Sequence, residues 1–340
     1  MKTTGFRNAG TGDSPVAARW LHWAGWVFGL LALFAFAAVA AHLADIERIV
    51  ELLRSLSPAW LLLALLLQAA TYLSLAVAWQ NGLHHAGVER SLRSLLPLTL
   101  AKLFVDQAAP TGGISGTAFL VAALVRRGID APACMAVLLA NLVGHYGANL
   151  LAALAAIALL WQAHEARPWM VGVFALFALV SVVIPAAMLA LPRYGSRAPS
   201  WLLRVPGVAS LVRAADDAPM TLLHRPGVLA TMTSLSVAVI LLDAATLWVM
   251  LAALGLPASF QIAFPSYLLA MMVATVGPIP LGLGTFEATC AAVLVLQGIP
   301  IEGALTATLL LRGFTTWLPL LPGLVLVRRE LRLAHGASRG

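Results

Sequence analysis

Residues 260–296 read FQIAFPSYLLAMMVATVGPIPLGLGTFEATCAAVLVL, an apolar stretch broken in its middle by prolines and glycines. The two arms have about 10 to 18 residues, and at about 1.5 Å per residue most such arms are too short for a hydrocarbon core of about 30 Å. Prolines and glycines at membrane depth are tolerated where the backbone is shielded by protein or lines a cavity. The stretch therefore predicts a re-entrant helical hairpin, with a kinked pair of full spans as the alternative.

A second broken stretch, Leu95–Val125, carries the sequence PTGGISG at 110–116. It resembles the first at a constant offset of 170 residues, which is half the chain length. The aligned residues are Pro110 with Pro280, Gly112 with Gly282, Gly128 with Gly298 and Ile129 with Ile299. Three predicted crossings separate the hairpins, so they should enter from opposite faces as inverted repeats. Inverted repeats with broken helices are typical of alternating-access carriers, and pseudo-symmetry without transport is the alternative.

The composition places the chain in a lipid bilayer. Of 340 residues, 61% are hydrophobic and 10% are charged, against about 45–50% and about 25% in soluble domains. With a mean hydropathy of +0.92, a water-soluble enzyme is excluded. We predict an all-α polytopic membrane protein with about six full transmembrane helices plus two broken re-entrant hairpins in inverted repeats. The predicted full spans are Trp20–His42, Pro58–Gln80, Pro132–Trp161, Trp169–Leu191, Val228–Leu254 and Ala304–Val327.

The positive charges predict the orientation. The net charge is +7, and most Lys and Arg residues fall on one side if each hairpin returns to its own face. That side holds Lys2, Arg7, Arg19, Arg90, Arg93, Arg126, Arg127, Arg193, Arg197, Arg204, Arg213, Arg225, Arg328, Arg329, Arg332 and Arg339. The opposite loops hold only Arg48, Arg54 and Arg167. We therefore expect both termini and the 193–226 loop in the cytoplasm.

The expected organisation is one transmembrane domain at 20–330 between cytoplasmic tails at 1–19 and 331–340. Repeat one covers about 58–161 and repeat two about 228–327. The first apolar run is too long for a cleaved signal peptide, so we predict an uncleaved first span. The expected location is a bacterial inner membrane.

Lys102 and Asp106 are ionisable residues within the first hairpin. A charge at membrane depth costs at least about 2.5–3.5 kcal/mol, so such residues are expected to be functional or paired. Their i, i+4 spacing puts them on one helix face. Lys102 is a candidate phosphate contact with Asp106 tuning it, and a purely structural ion pair is the alternative.

Glu287, Arg312 and Asp243 form a second set of candidates. Glu287 follows Gly284 by three residues, so its carboxylate either caps the second arm or belongs to a substrate site. Arg312 lies inside the last span and keeps its charge, so an anion must meet it. Glu287, Asp243 and a lipid phosphate are the candidates. Asp243 is halfway along the fifth span, where a lone carboxylate is protonated unless it is paired.

The two breaks offer backbone amides at helix N-termini, which bind anions. The substrate-site residues expected there are Pro110, Gly112, Gly113, Pro280, Gly282 and Gly284. Asn141 and His145 share a face of the third span and either line the same cavity or make hydrogen bonds between helices.

The sequence contains no nucleotide-binding loop and no catalytic constellation. Cys134 and Cys290 lie in apolar context without a metal-ligand pattern. We therefore expect no catalytic residue, no metal and no cofactor.

The chain resembles the flippase-like, lysylphosphatidylglycerol synthase transmembrane-region family over roughly residues 20 to 330. The likeness lies in the PTGGISG break, in PIPLGLGTFE at 278–287 and in the Arg312-Gly313 pair that precedes Trp317-Leu318-Pro319. The resemblance implies a membrane domain that translocates aminoacylated or other phosphate-bearing lipids between leaflets. By motif it assigns Pro280, Gly282, Gly284, Glu287 and Arg312 to one conserved element of the family and Pro110, Gly112 and Gly113 to another.

Bifunctional members of that family continue into a soluble aminoacyl-transferase domain, whereas this sequence ends at Gly340. The expectation is a stand-alone, non-enzymatic member. Stand-alone members are associated with hopanoid and polyprenyl-phosphate pathways, so the lipid stays open.

The leading function is the translocation of an anionic or phosphate-bearing amphiphilic lipid. The alternatives are a non-transporting scaffold for a lipid-modifying enzyme and a proton-coupled solute carrier. The expected partners are the membrane lipid, a lipid-biosynthetic enzyme and a second copy in a homodimer, with no nucleic acid.

Overall fold

The computed structural model describes residues 46–54, 56–108, 114–162, 167–194, 222–257, 259–276 and 282–337. These residues form helices and turns, and no strand occurs among them. The first helices are α1 (Ile46–Arg54), α2 (Pro58–His85), α3 (Leu92–Ala108), α4 (Ile114–Arg126) and α5 (Ala131–Gln162). They are followed by α6 (Pro168–Tyr194), α7 (Pro226–Ala253), α8 (Phe260–Val276), α9 (Thr285–Leu296), α10 (Ile301–Arg312), a π-helical segment (Gly313–Trp317) and α11 (Leu318–Ala337).

Five helical stretches are long and apolar enough to cross a membrane. They are Pro58–His85, Ala131–Gln162, Pro168–Ala186, Pro226–Ala253 and Ile301–Arg332. They coincide with five of the six predicted spans, whereas the sixth, Trp20–His42, lies outside the described residues. The chain is thus an all-α polytopic membrane protein, as its composition predicted. The 193–226 loop also lies largely outside the described residues.

Four shorter helices flank the two breaks. They contain 17 residues (α3), 13 (α4), 17 (α8) and 12 (α9). At about 1.5 Å per residue these arms are roughly 18 to 26 Å long, which is less than a hydrocarbon core of about 30 Å. The centres of both breaks, 109–113 and 277–281, are outside the described residues, so the re-entrant geometry stays a prediction.

The helices repeat in order and in length. Helices α2 and α7 each have 28 residues and begin with proline. Helices α3 and α8 each have 17 residues and carry an internal proline, Pro97 and Pro265, at the same position. The two final spans, α5 and Ile301–Arg332, each have 32 residues. These pairs of helices thus agree in order and in length, and the inverted repeat stays a prediction.

The turns that end these helices repeat as well. Gly87 and Gly255 have φ values of 82° and 68°, and Gly128 and Gly298 have values of 78° and 88°. Each lets the next residue donate its N–H to a carbonyl five residues back, as Val88 does to Leu83, which stops the helix. A residue other than glycine is strained at such a φ.

Helices α2 and α7, the first helices of the two predicted repeats, cross antiparallel. Gly82, near the end of α2, packs on Met232 near the start of α7, whereas Gln68 donates to Thr246 in the second half of α7. Helix α5 joins them at Gly144, where a Cβ atom would come within 2.5 Å of the Met232 Cβ. Small residues allow such close approach between membrane helices. Close helix packing therefore joins α2 and α5 to α7.

A polar cluster ties three segments together at one end of the bundle. Arg127, after α4, binds Glu330 of α11 through Nη2 at 2.6 Å. Arg90, after α2, donates to the Arg127 carbonyl at 2.8 Å. The 86–91 loop between α2 and α3, the turn after α4, and α11 therefore meet on a shared side.

The last span contains a π-helical segment that the hydropathy pattern does not indicate. The N–H of Leu318 bonds to the carbonyl of Gly313, five residues back, so it is unavailable to Phe314. Pro319 has no N–H to offer to that carbonyl. Tyr72 of α2 donates its hydroxyl to the Phe314 oxygen at 3.1 Å instead. The irregular backbone is thus satisfied by a neighbouring helix, as membrane depth requires.

Candidate functional site

The second break delivers Glu287 to the start of α9. Gly282 and Gly284 have φ values of 59° and 78°, and a Cβ atom on Gly282 would collide with Ala274. The N–H of Gly284 donates to Glu287 Oε2 at 2.7 Å. Glu287 therefore caps the arm that leaves the break, as its position predicted.

Arg312 meets the other oxygen of that carboxylate. Its Nε donates to Glu287 Oε1 at 2.8 Å, and only 11% of the Arg312 side chain and 3% of the Glu287 side chain are exposed. The guanidinium also stacks on the Phe286 ring at 5.1 Å. Glu287, one of the anions predicted for Arg312, is therefore a carboxylate partner of its guanidinium. A hydrated cavity around the pair stays a prediction.

Asp243 sits in a separate cluster of neutral partners. Its Oδ2 accepts a hydrogen bond from the Tyr267 hydroxyl at 2.9 Å. Its Oδ1 accepts from Gln68 at 3.0 Å and from Thr71 at 3.4 Å. Gln68 donates further to Thr246 at 3.0 Å. The carboxylate is therefore held between α2, α7 and α8 by an amide and hydroxyl groups.

Lys102 and Asp106 form the ion pair that their spacing predicted. Lys102 Nζ lies 2.6 Å from Asp106 Oδ2, and 21% and 17% of the two side chains are exposed. The other oxygen, Oδ1, accepts from the N–H of Gly116 in the first turn of α4 at 2.9 Å. A Cβ atom on Gly116 would clash with Asp106. Close approach of α4 to this carboxylate thus requires glycine.

The two breaks share one arrangement. In each, one carboxylate binds a cation with one oxygen and a backbone N–H of the outgoing arm with the other. The carboxylate comes from the incoming arm as Asp106 in the first half and from the outgoing arm as Glu287 in the second. The chemistry recurs although the positions differ. Exchange of either carboxylate for a phosphate would keep both the cation and the amide satisfied.

His145 lies halfway along α5 and is exposed. It lies within electrostatic range of Lys102. Its Nε2 is 3.1 Å from Asn149 Nδ2, so its polar partner on α5 is Asn149, while Asn141 is half-buried. The Oδ1 of Asn149 is buried without a hydrogen-bond partner among the described residues. His145 therefore lies near the partly exposed side chain of Lys102.

Four of the predicted site residues, Pro110, Gly112, Gly113 and Pro280, lie outside the described residues. The sequence reasoning missed Gln68, Thr71, Tyr72, Tyr267 and Phe286. Polar residues spaced three to four apart in an apolar span, as Gln68 and Thr71 are, were the available signal for the Asp243 cluster. The aromatic residues gave none, because they also suit the lipid-facing surface.

Among the residues with described positions, no group of three or more His, Cys, Asp or Glu side chains is arranged to hold a metal. The two cysteines, Cys134 and Cys290, are buried thiols. What distinguishes the interior is paired charge next to helix breaks.

Long apolar helices around charged groups at mid-depth define an integral membrane protein of the polytopic helical class. Residues 24–323 match the family described as the lysylphosphatidylglycerol synthase TM region, and the chain belongs to that family. This confirms the family resemblance inferred from the sequence motifs. A comparison with curated proteins finds no match.

Proposed function

We propose that this protein translocates an anionic or phosphate-bearing amphiphilic lipid between the two leaflets and acts as a carrier, not an enzyme. The family name links the fold to lysylphosphatidylglycerol synthases, so lipid chemistry is the appropriate class. Hopanoid-related and polyprenyl-phosphate lipids are substrates to test alongside phosphatidylglycerol.

The main support for this proposal is the exposure of the Lys102 side chain. Lys102 lies ten residues into an apolar helix, yet 21% of its side chain is exposed. An ammonium group that faced lipid tails at this depth would be strongly unfavourable. The exposed surface of Lys102 is therefore assigned to a hydrated cavity. This cavity offers the positive charge of Lys102 to a phosphate.

The antiparallel crossing of α2 and α7 supports inverted repeats. If the repeats are inverted, the two breaks approach the midplane from opposite faces, and one carboxylate-bound cation lies at each. In the state described, the Lys102 pair is accessible and the Arg312 pair is buried. We assign this difference to alternating access, in which a lipid phosphate replaces Asp106 or Glu287 as the partner of the exposed cation.

Liposomes test the proposal directly. Purified protein is reconstituted in phosphatidylcholine vesicles that contain fluorescent phosphatidylglycerol. A membrane-impermeant quencher removes the fluorescence of lipid in the outer leaflet, so the further loss of fluorescence measures how fast lipid from the inner leaflet arrives there. Lys102→Gln should slow translocation by at least about tenfold, because it removes a charged hydrogen bond to phosphate worth about 1.5–3 kcal/mol. Lys102→Arg, which keeps the charge, should retain most of the rate.

Arg126→Gln is the matched control, since it removes a positive charge from an exposed position at the end of α4 and should leave the rate unchanged. A double variant, Lys102→Gln with Asp106→Asn, separates the roles. If the double variant regains the wild-type rate, Lys102 serves only as a structural partner of Asp106. If the wild-type protein moves no lipid, the scaffold function replaces the carrier function, and capture of a lipid-biosynthetic enzyme becomes the next measurement.

A further inference from the structure

The surroundings of Asp243 indicate a function that is separate from the proposed contacts of Lys102 and Arg312 with lipid. Asp243 lies at the eighteenth of the 28 residues of α7, deep within a candidate span. In the part of the chain that the structure describes, its hydrogen-bond partners are Gln68, Thr71 and Tyr267. None of these carries a positive charge. An ionised carboxylate so placed is costly, whereas a protonated one is not.

Asp243 differs from Asp106 and Glu287 because it has no cationic partner among the described residues. Between the helix ends of the described segments, two cations each pair with one carboxylate, Lys102 with Asp106 and Arg312 with Glu287. Asp243 is left without a cation, so the set has a net charge of −1 when Asp243 is ionised and zero when it holds a proton. An anionic head group adds one further negative charge. In a low-dielectric interior, the state with both charges is the least favourable.

Contacts connect Asp243 to the cation of the second break. Its Oδ2 binds the Tyr267 hydroxyl, and the Tyr267 ring stands edge-on to Phe286 with centroids 6.0 Å apart. Phe286 in turn lies under the Arg312 guanidinium. Tyr267 is also within electrostatic range of Arg312 itself. The charge state of Asp243 therefore affects the electrostatic potential at the site where Arg312 binds its anion.

We propose that Asp243 is a proton-binding site whose occupancy is coupled to the binding of an anionic lipid head group. The proton comes from the aqueous phase, binds to a carboxylate oxygen of Asp243 and returns to water when the lipid leaves. Because the coupling is reciprocal, protonation strengthens lipid binding by the factor by which the lipid strengthens protonation. The inference rests on the proposed lipid function and adds a coupling ion to it.

Other titratable groups near Asp243 are few. Helix α2 brings Tyr72 within electrostatic range, and α8 brings Tyr267. Helix α10 has Glu302 in its first turn and Arg312 at its end. Helix α5 packs on α7 at the level of Gly144 and Met232, near the opposite end of α7. Behind Tyr267, helix α9 holds Glu287 and Cys290.

The coupling is tested by measuring phosphatidylglycerol binding in an assay that involves no transport. The melting temperature of the protein in a neutral maltoside detergent is followed against phosphatidylglycerol concentration at pH 5.5 and pH 8, and the apparent Kd is obtained from the shift. Wild-type protein should bind about tenfold more tightly at pH 5.5, within the range of about 5–150-fold typical of coupled sites. Asp243→Asn, which resembles the protonated acid, should bind with the tighter Kd at both pH values.

Two further variants assign the effect. His145→Gln should keep the wild-type pH dependence, because the titrating group is Asp243. Tyr267→Phe should move the midpoint of the pH profile, since it removes one hydrogen-bond donor from the ionised carboxylate. The two variants also keep the test open if Asp243→Asn does not fold.

Equal wild-type affinity at the two pH values, or no phosphatidylglycerol-induced shift at either, would overturn the coupling. A folded Asp243→Asn protein with the wild-type pH dependence would also overturn it. Binding that depends on pH in a protein that moves no lipid in vesicles would overturn the carrier function alone.

Discussion

Glu287 and Arg312 show how one carboxylate can serve two purposes. One oxygen neutralises a buried guanidinium and the other caps the N-terminus of α9. A buried pair adds little net stability, since desolvation offsets the attraction, but the loss of one partner leaves a charge that nothing compensates. The pair is therefore suited to hold a charge at depth until another anion replaces the carboxylate.

Single and double substitutions of this pair should give unequal results. Glu287→Gln and Arg312→Gln should each reduce the free energy of unfolding by about 3–5 kcal/mol, whereas the double variant should lose much less because no lone charge remains. Thermal unfolding of the four purified proteins in detergent measures this. Two single variants as stable as the wild type would show that the pair is hydrated rather than buried.

The same four proteins, together with Arg312→Lys, separate stability from transport. If Arg312 receives the lipid phosphate, the folded double variant should stay slow in the liposome assay, and Arg312→Lys should be slow as well because it loses the bidentate geometry. Wild-type translocation by the double variant would remove the phosphate-binding role.

At the scale of elements, the π-helical segment interrupts the last described span. The corresponding span of the first predicted repeat, α5, is a regular helix through all 32 residues, so the two spans differ here. Such segments occur often at functional sites. This one directly follows Arg312, and Tyr72 from the other repeat supplies its missing donor. A hydrogen bond between α2 and the last span therefore holds this irregular backbone in place.

Removal of the Tyr72 hydroxyl should destabilise this segment. Tyr72→Phe leaves the Phe314 carbonyl without its donor, and an unsatisfied buried acceptor costs about 1–3 kcal/mol. The melting temperature should fall, and hydrogen exchange in 313–317 should become faster. Tyr146→Phe on α5 is the control, and it should change neither quantity. Unchanged exchange in 313–317 for Tyr72→Phe would mean that Tyr72 is not needed to hold the π-helical backbone.

At the scale of the whole molecule, α2 and α7, the first helices of the two predicted repeats, run antiparallel to each other. The cluster of Arg90, Arg127 and Glu330 brings the turns of the first repeat and α11 to one side. The turn after α7 meets the start of α10 where Leu256 packs on Gly303. If the repeats are inverted, these two sets of turns lie on opposite faces of the membrane.

Cysteine labelling tests that arrangement. Cys134 and Cys290 are buried, so new surface cysteines can be read against a low background. Glu89→Cys should react with a membrane-impermeant maleimide only from the cytoplasmic side, and Ser259→Cys only from the other side, because positive loops stay cytoplasmic. Labelling of both positions from the same side would refute the inverted repeats.

The one-dimensional pattern was sufficient for the membrane class, for five of the spans and for the pairing of Lys102 with Asp106. These features depend on hydropathy over about 20 residues and on the local geometry of a helix, and both follow from residues that are close together in the sequence. The likeness of PIPLGLGTFE to a known motif also sufficed for the family.

Only the tertiary structure decided which anion meets Arg312 and where Asp243 finds its partners. Those contacts join residues 24 to 175 positions apart, and helix packing brings them together. The π-helical segment likewise depends on a hydroxyl from another helix, since a chain that lacks a local donor must take one from a neighbour inside a membrane. Sequence patterns report which groups need partners at membrane depth, whereas the crossing of the helices determines which partners they obtain.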